Sequence, residues 1–126
     1  MKRTLTVVLS YIFVSLVAAA TAHAQTAPEA AHSELVSGAR AYRDGDFVAA
    51  EKHFRRALEL DSTHKNTLLF IARAVQQQYL PGVNTPENVA TGDRAIAAYR
   101  EVFTRDPRDD DAYKAIALPL RSDEAR

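Results

Sequence analysis

From Ser33 onward, apolar residues return at intervals of three and four, the spacing of one face of an α-helix. The pattern predicts five helices. The first spans Ser33 to Arg43, with Leu35, Val36, Ala39 and Tyr42 apolar, Ser33 as cap and Asp44-Gly45 as stop. The second spans Phe47 to Leu60, capped by Asp46, with a buried stripe of Phe47, Ala50, Phe54, Ala57 and Leu58. The third spans Thr63 to Tyr79 and carries Leu68, Leu69, Ile71, Ala72 and Val75. Pro81-Gly82 then marks a loop. Thr85-Pro86-Glu87 opens a fourth helix, Pro86 to Arg105, with the stripe Val89, Ile96, Tyr99 and Phe103 and with Ala95, Ala98 and Val102 beside it. A fifth starts near Asp109 with Ala112, Tyr113, Ile116 and Ala117, and Pro119 must end or kink it. No stretch alternates apolar and polar residues over the length of a strand, so the expected fold class is all-α.

The pattern repeats. Moved by 45 residues, the second helix falls on the fourth: Ala50 on Ala95, Phe54 on Tyr99, Ala57 on Val102, Leu58 on Phe103 and Asp61 on Asp106. Moved by 34, the first falls on the third, with Leu35 on Leu69 and Gly38 on Ala72. One unit is therefore a helix pair of 34 residues, and the next carries an 11-residue insertion around Pro81. A helix pair cannot bury its apolar face alone, so such units stack into a solenoid. The expected domain occupies 32–120, with units 31–64 and 65–109 and a partial unit 110–120, about two and a half repeats. Residues 25–31 read as a flexible N-terminus and 121–126 as a disordered tail.

Ahead of the repeats stands a different composition. Lys2 and Arg3 precede an uncharged, mostly apolar run, Leu5 to Ala20, and Ala22-His23-Ala24 is a small-x-small cleavage site. That is the pattern of a secretory signal peptide over 1–24, with a retained anchor as the alternative. Cleavage before Gln25 would release the protein to the periplasm or beyond, with only transient contact with the membrane. Setting aside Lys2 and Arg3 takes the 16 basic residues to 14, against 16 acidic ones. No basic patch stands out, which argues against nucleic acid as a partner. The chain has no Cys, which excludes disulfides, thiolate metal ligands and Cys nucleophiles.

The helix pairs resemble the tetratricopeptide repeat family. The first unit supplies Gly38, Ala50, Phe54 and the ending Ala57-Leu58-Glu59-Leu60-Asp61 of the pattern W-x2-L-G-x2-Y, A-x3-F, P. The second supplies Leu68, Ile71, Ala72, Ala95, Tyr99 and Pro107, and the third only Tyr113, Ile116 and Ala117. Glu34, Ser37 and Ala41 stand where the family has W, L and Y, and Ser62 where it has the proline. The resemblance implies a curved α-solenoid and a non-catalytic scaffold for a protein or peptide partner. It also implies that the first helix of each unit lines a concave groove. The groove residues would then be His32, Tyr42, Arg43, Asn66, Arg73, Gln76, Gln77 and Lys114. Leu35, Ala39 and Phe70 occupy the places of the Lys and Asn that clamp a peptide carboxylate in some members, so that clamp is not expected. The array falls short of three units and lacks a capping helix, as expected of a truncated relative of a longer repeat protein, or else of a chain whose open C-terminal end is covered by a second copy or a partner.

No other constellation carries chemistry. Asp109-Asp110-Asp111 reads as the capped, acidic start of a helix rather than a cation site. His32, His53 and His64 are too scattered for a metal, His53 being expected beside a packed face and His64 in a turn. Glu51 and Glu59 are expected on a solvated helix face. No catalytic set, cofactor site or metal site is expected. The insertion, with Leu80 and Val83, is a second candidate surface. It keeps open a different class of function, namely binding of a small ligand or peptidoglycan fragment, or an accessory role to an envelope enzyme.

Overall fold

The structure, a computed structural model, describes residues 26–117. The expected signal peptide at 1–24 and tail at 121–126 lie outside them. Among the described residues there are five helices and no strand: α1 (Ala27–Arg43), α2 (Phe47–Leu60), α3 (Thr67–Gln78), α4 (Pro86–Arg105) and α5 (Asp110–Ala117). Each packs chiefly against its neighbours in sequence.

The ends follow local chemistry. The Gly45 N–H donates to the Tyr42 carbonyl and the Asp46 N–H to that of Ala41, with Gly45 at φ +81°. This left-handed stop closes α1, and only glycine adopts it without strain. Asp46 then starts α2, its carboxylate accepting the Ala49 N–H at 3.0 Å. Thr85 caps α4 by accepting the Asn88 N–H, with Pro86 in the first turn.

Two boundaries differ from expectation. Helix α1 begins at Ala27, so residues 27–31 are helical rather than flexible. The Thr26 N–H is held by the Glu29 carboxylate at 3.1 Å, Pro28 pre-sets the first turn, and Ala31 is buried. Ser33 is therefore interior to the helix. Helix α3 begins at Thr67 rather than Thr63. Asp61 accepts both the N–H and the hydroxyl of Thr63, which fixes a side-chain turn where a helix would otherwise start.

The core is two adjoining clusters. One holds Ala50, Phe54, Ile71, Ala74, Val75 and Ala95, with Leu35, Ala41, Tyr42, Leu58 and Phe70 packed against it. The other holds Leu68, Ala72, Tyr99, Val102 and Ala112, flanked by Leu58, Leu69, Ala98 and Ile116. Small residues admit the large ones: a Cβ on Gly38 would lie 2.6 Å from the Phe54 ring. In α4 the buried face is Asn88, Gly92, Ala95, Tyr99 and Val102. The expected stripe is thus turned by about one position, and Val89 and Phe103 are exposed. The steps 88, 92, 95, 99 and 102 hold one face of a 3.6-residue helix, whereas the sevenfold steps of 89, 96 and 103 run beside it.

The C-terminal caps of α2 and α4 share one geometry. At Asp61 (φ −143°, ψ 97°) the N–H reaches the Ala57 carbonyl, and at Asp106 (φ −135°, ψ 89°) it reaches Val102. Each carboxylate then accepts the N–H two residues on, at Thr63 and at Arg108.

Candidate functional site

Ala39, Tyr42 and Arg43 lie three and four positions apart on α1, and Phe70 and Arg73 three apart on α3. These spacings put each set on one helical face. Together with Phe54 of α2 they line an open recess of about 290 Å³. The Phe54 ring is buried and tilts against Phe70, centroids 5.4 Å apart. Tyr42 is braced by Phe47, edge to face at 5.2 Å. The walls are therefore mainly aromatic, and their polar groups are two guanidinium heads and one phenol.

Arg73 is tied at this recess. Its guanidinium donates to the Asp111 carboxylate of α5 at 2.9 Å, with both side chains well exposed. Arg43 has no ion pair among the described residues. One turn beyond Arg73, Gln76 accepts the Tyr99 hydroxyl at 2.6 Å. Burial is the main cause that pushes the Tyr99 phenol up to about 12. Under the internal alignment Gln76 falls where Tyr42 stands. The buried ring beside Tyr42 is Phe54, without a hydroxyl, and the one beside Gln76 is Tyr99, whose hydroxyl needs a partner.

The predicted groove residues separate into four groups. Tyr42, Arg43 and Arg73 meet at the recess. Gln76 adjoins them but is engaged by Tyr99. Asn66 is exposed at the head of α3 and lines a different, mixed-charge recess with His64, Lys65, Arg105, Asp106 and Asp109. His32, Gln77 and Lys114 are exposed and do not line the aromatic recess. Ala39, Phe54 and Phe70, which in sequence read as packing or as evidence against a clamp, form the apolar wall. Phe70 carried a usable signal: it is a large ring one position away from the Ile71 and Leu68 face that meets the core.

Glu51 also departs from expectation. It is 7% exposed and binds three other side chains. Its carboxylate accepts from Arg94 at 2.6 and 2.8 Å, from Gln78 at 2.8 Å and from Arg55 at 2.9 Å. Burial pushes this carboxyl up, but the hydrogen bonds from Gln78, Arg94 and Arg55 outweigh it and hold the pKa below the usual range. Glu59 is exposed and pairs with Arg56.

At the insertion, Asn88 is a buried clasp. Its amide donates to the carbonyls of Leu80 and Val83 at 2.8 and 2.6 Å and accepts the Leu80 N–H at 2.8 Å. Leu80 and Val83 themselves are exposed. His53 pairs with Glu34 at 2.7 Å, and His64 with Thr67. The Asp109 carboxylate caps α5 by accepting the Ala112 N–H at 2.9 Å. Among the described residues no three His, Asp or Glu side chains gather as a metal site, and no helix is long and apolar enough to cross a membrane.

No family profile, curated protein or solved structure matches this chain.

Proposed function

We propose that this protein is a non-catalytic scaffold of the tetratricopeptide type, which holds a peptide or partner protein in the groove lined by the first helix of each unit. The observation that carries this reading is the recess between α1 and α3, where Tyr42 and Arg43 meet Phe70 and Arg73. Arg and Tyr are the residue types that dominate binding energy at interfaces, above all beside an apolar pocket that sheds its water. The shared cap geometry at Asp61 and Asp106 supports stacked repeats as the architecture behind it. The basic, apolar and small-residue order of 1–24 supports export to a bacterial envelope, with mature protein starting at Gln25.

A photo-reactive amino acid at Ala39 tests the groove. Discrete cross-linked partners are expected, identified by mass spectrometry, and lost when Arg73→Glu is added. No cross-link, or a set unchanged by Arg73→Glu, overturns the groove.

A further inference from the structure

The recess has features that select among peptides, and they concern charge as much as shape. At about 290 Å³ it sits at the lower edge of small-molecule pockets, which span about 300–1,000 Å³. An open recess of that size suits one anchoring side chain of a longer chain. Its apolar surface comes from Phe54, Phe70, Ala39 and the Tyr42 ring. That surface calls for a large apolar anchor such as Phe, Leu or Trp.

Beside this surface stand two cations and no anion among the lining residues. Arg43 has no ion pair among the described residues. Arg73 has one, with Asp111, which reaches it from a position 38 residues away in sequence. That pair is weakly held. The side chains are 43% and 61% exposed, and ion pairs in water at such exposure contribute little. A carboxylate arriving beside the anchor would find the same guanidinium fork that Asp111 now uses, with a second cation at Arg43. A basic peptide would meet two like charges.

Given the groove reading, on which this rests, we propose that the recess takes one large apolar side chain flanked by carboxylates on a partner peptide, and that Asp111 of this chain competes for Arg73. The chain carries its own stand-in for part of the ligand. Binding exchanges the Arg73–Asp111 pair for a pair with the partner, so Asp111 lowers the affinity for acidic partners while Arg73 sets the preference for them. Arg73 is thus a selectivity-determining residue, and Asp111 tunes it without lining the recess.

Two blocked peptides test this on the full chain, Ser-Asp-Phe-Asp-Ser and its uncharged counterpart Ser-Asn-Phe-Asn-Ser. Binding is followed as backbone amide shifts in two-dimensional NMR. The acidic peptide should move the amides of Tyr42, Arg43, Phe70 and Arg73, and bind at least about five-fold tighter than the uncharged one. Asp111→Asn should tighten the acidic peptide by about two- to five-fold, the range of an exposed pair, and leave the uncharged one unchanged. Arg73→Gln should bring the two peptides close to equal affinity. Melting temperatures of both variants should match the parent, which separates competition from loss of fold. Equal binding of the two peptides, or an Asp111→Asn variant that binds the acidic peptide no better, overturns the inference and leaves the groove standing. Shifts confined to other residues, or none with either peptide, also overturn it. The cross-link from Ala39 then decides the groove reading separately.

Discussion

At Gly38 of α1 the ring of Phe54 of α2 packs directly over the backbone. The missing Cβ leaves the space that the ring fills, 2.6 Å from where that atom would stand. Gly38→Ala gains about 1 kcal/mol of helix propensity but forces the ring or the α1 backbone to move. The expected net result is a loss of about 1–2 kcal/mol in chemical denaturation. Adding Phe54→Leu should recover part of it, because two residues in contact do not act independently. At Tyr99 the prediction concerns pH. Its folded pKa of about 12 lies above the unfolded value of 10.0. The stabilising preference for the neutral phenol is complete below pH 10 and is lost as pH rises through 12. For a ring 1% exposed, two pH units correspond to about 2–3 kcal/mol. Tyr99→Phe should cost about 1 kcal/mol at neutral pH, from the orphaned Gln76, and should flatten this alkaline limb of the stability curve. An equally steep limb in the variant would assign the effect to another group.

Between elements, Glu51 does the joining. It stands on α2 and takes hydrogen bonds from Gln78 of α3 and Arg94 of α4, and from Arg55 one turn along its own helix. Its folded pKa is depressed below 4.5. The stability it supplies is present above that value and lost as pH falls through the folded pKa. Glu51→Gln should therefore cost about 1–2 kcal/mol at neutral pH, and the gap to the parent should close in acid. A gap independent of pH would contradict this. Glu51 also shows why sequence reading fails where it does. Periodicity sorts residues by polarity, and a carboxylate is sorted outward. Its burial depends on Gln78 and Arg94, 27 and 43 residues away, and no local pattern reports that they converge. Asn88 was missed for the same reason, since its partners are backbone groups of an irregular loop. The helices, by contrast, were legible because their causes are local. The Gly45 stop, the Asp46 and Thr85 caps and the small residues at Gly38, Ala50 and Ala95 all act within a turn or against one neighbour. At the start of α1 local signals were also present, in Thr26, Pro28 and Glu29, but the polar stretch that holds them reads as loop on hydropathy alone.

Among the described residues, consecutive helices pack side by side in sequence order, with an aromatic recess between the first helix and the third. Half of that site was readable: the guanidinium and phenol groups follow from placing first helices along a groove. The apolar wall was not, since Phe54 and Phe70 both look like core residues, and only the structure shows that Phe70 stays partly exposed over the buried Phe54 ring. The most direct test is to select short random peptides for binding to the intact protein, and then to measure each winner against Arg73→Glu. A groove-binding scaffold predicts winners that carry a large apolar residue beside Asp or Glu, and whose affinity falls at least about ten-fold in a variant that melts like the parent. Winners that bind Arg73→Glu as tightly as the parent would contradict it.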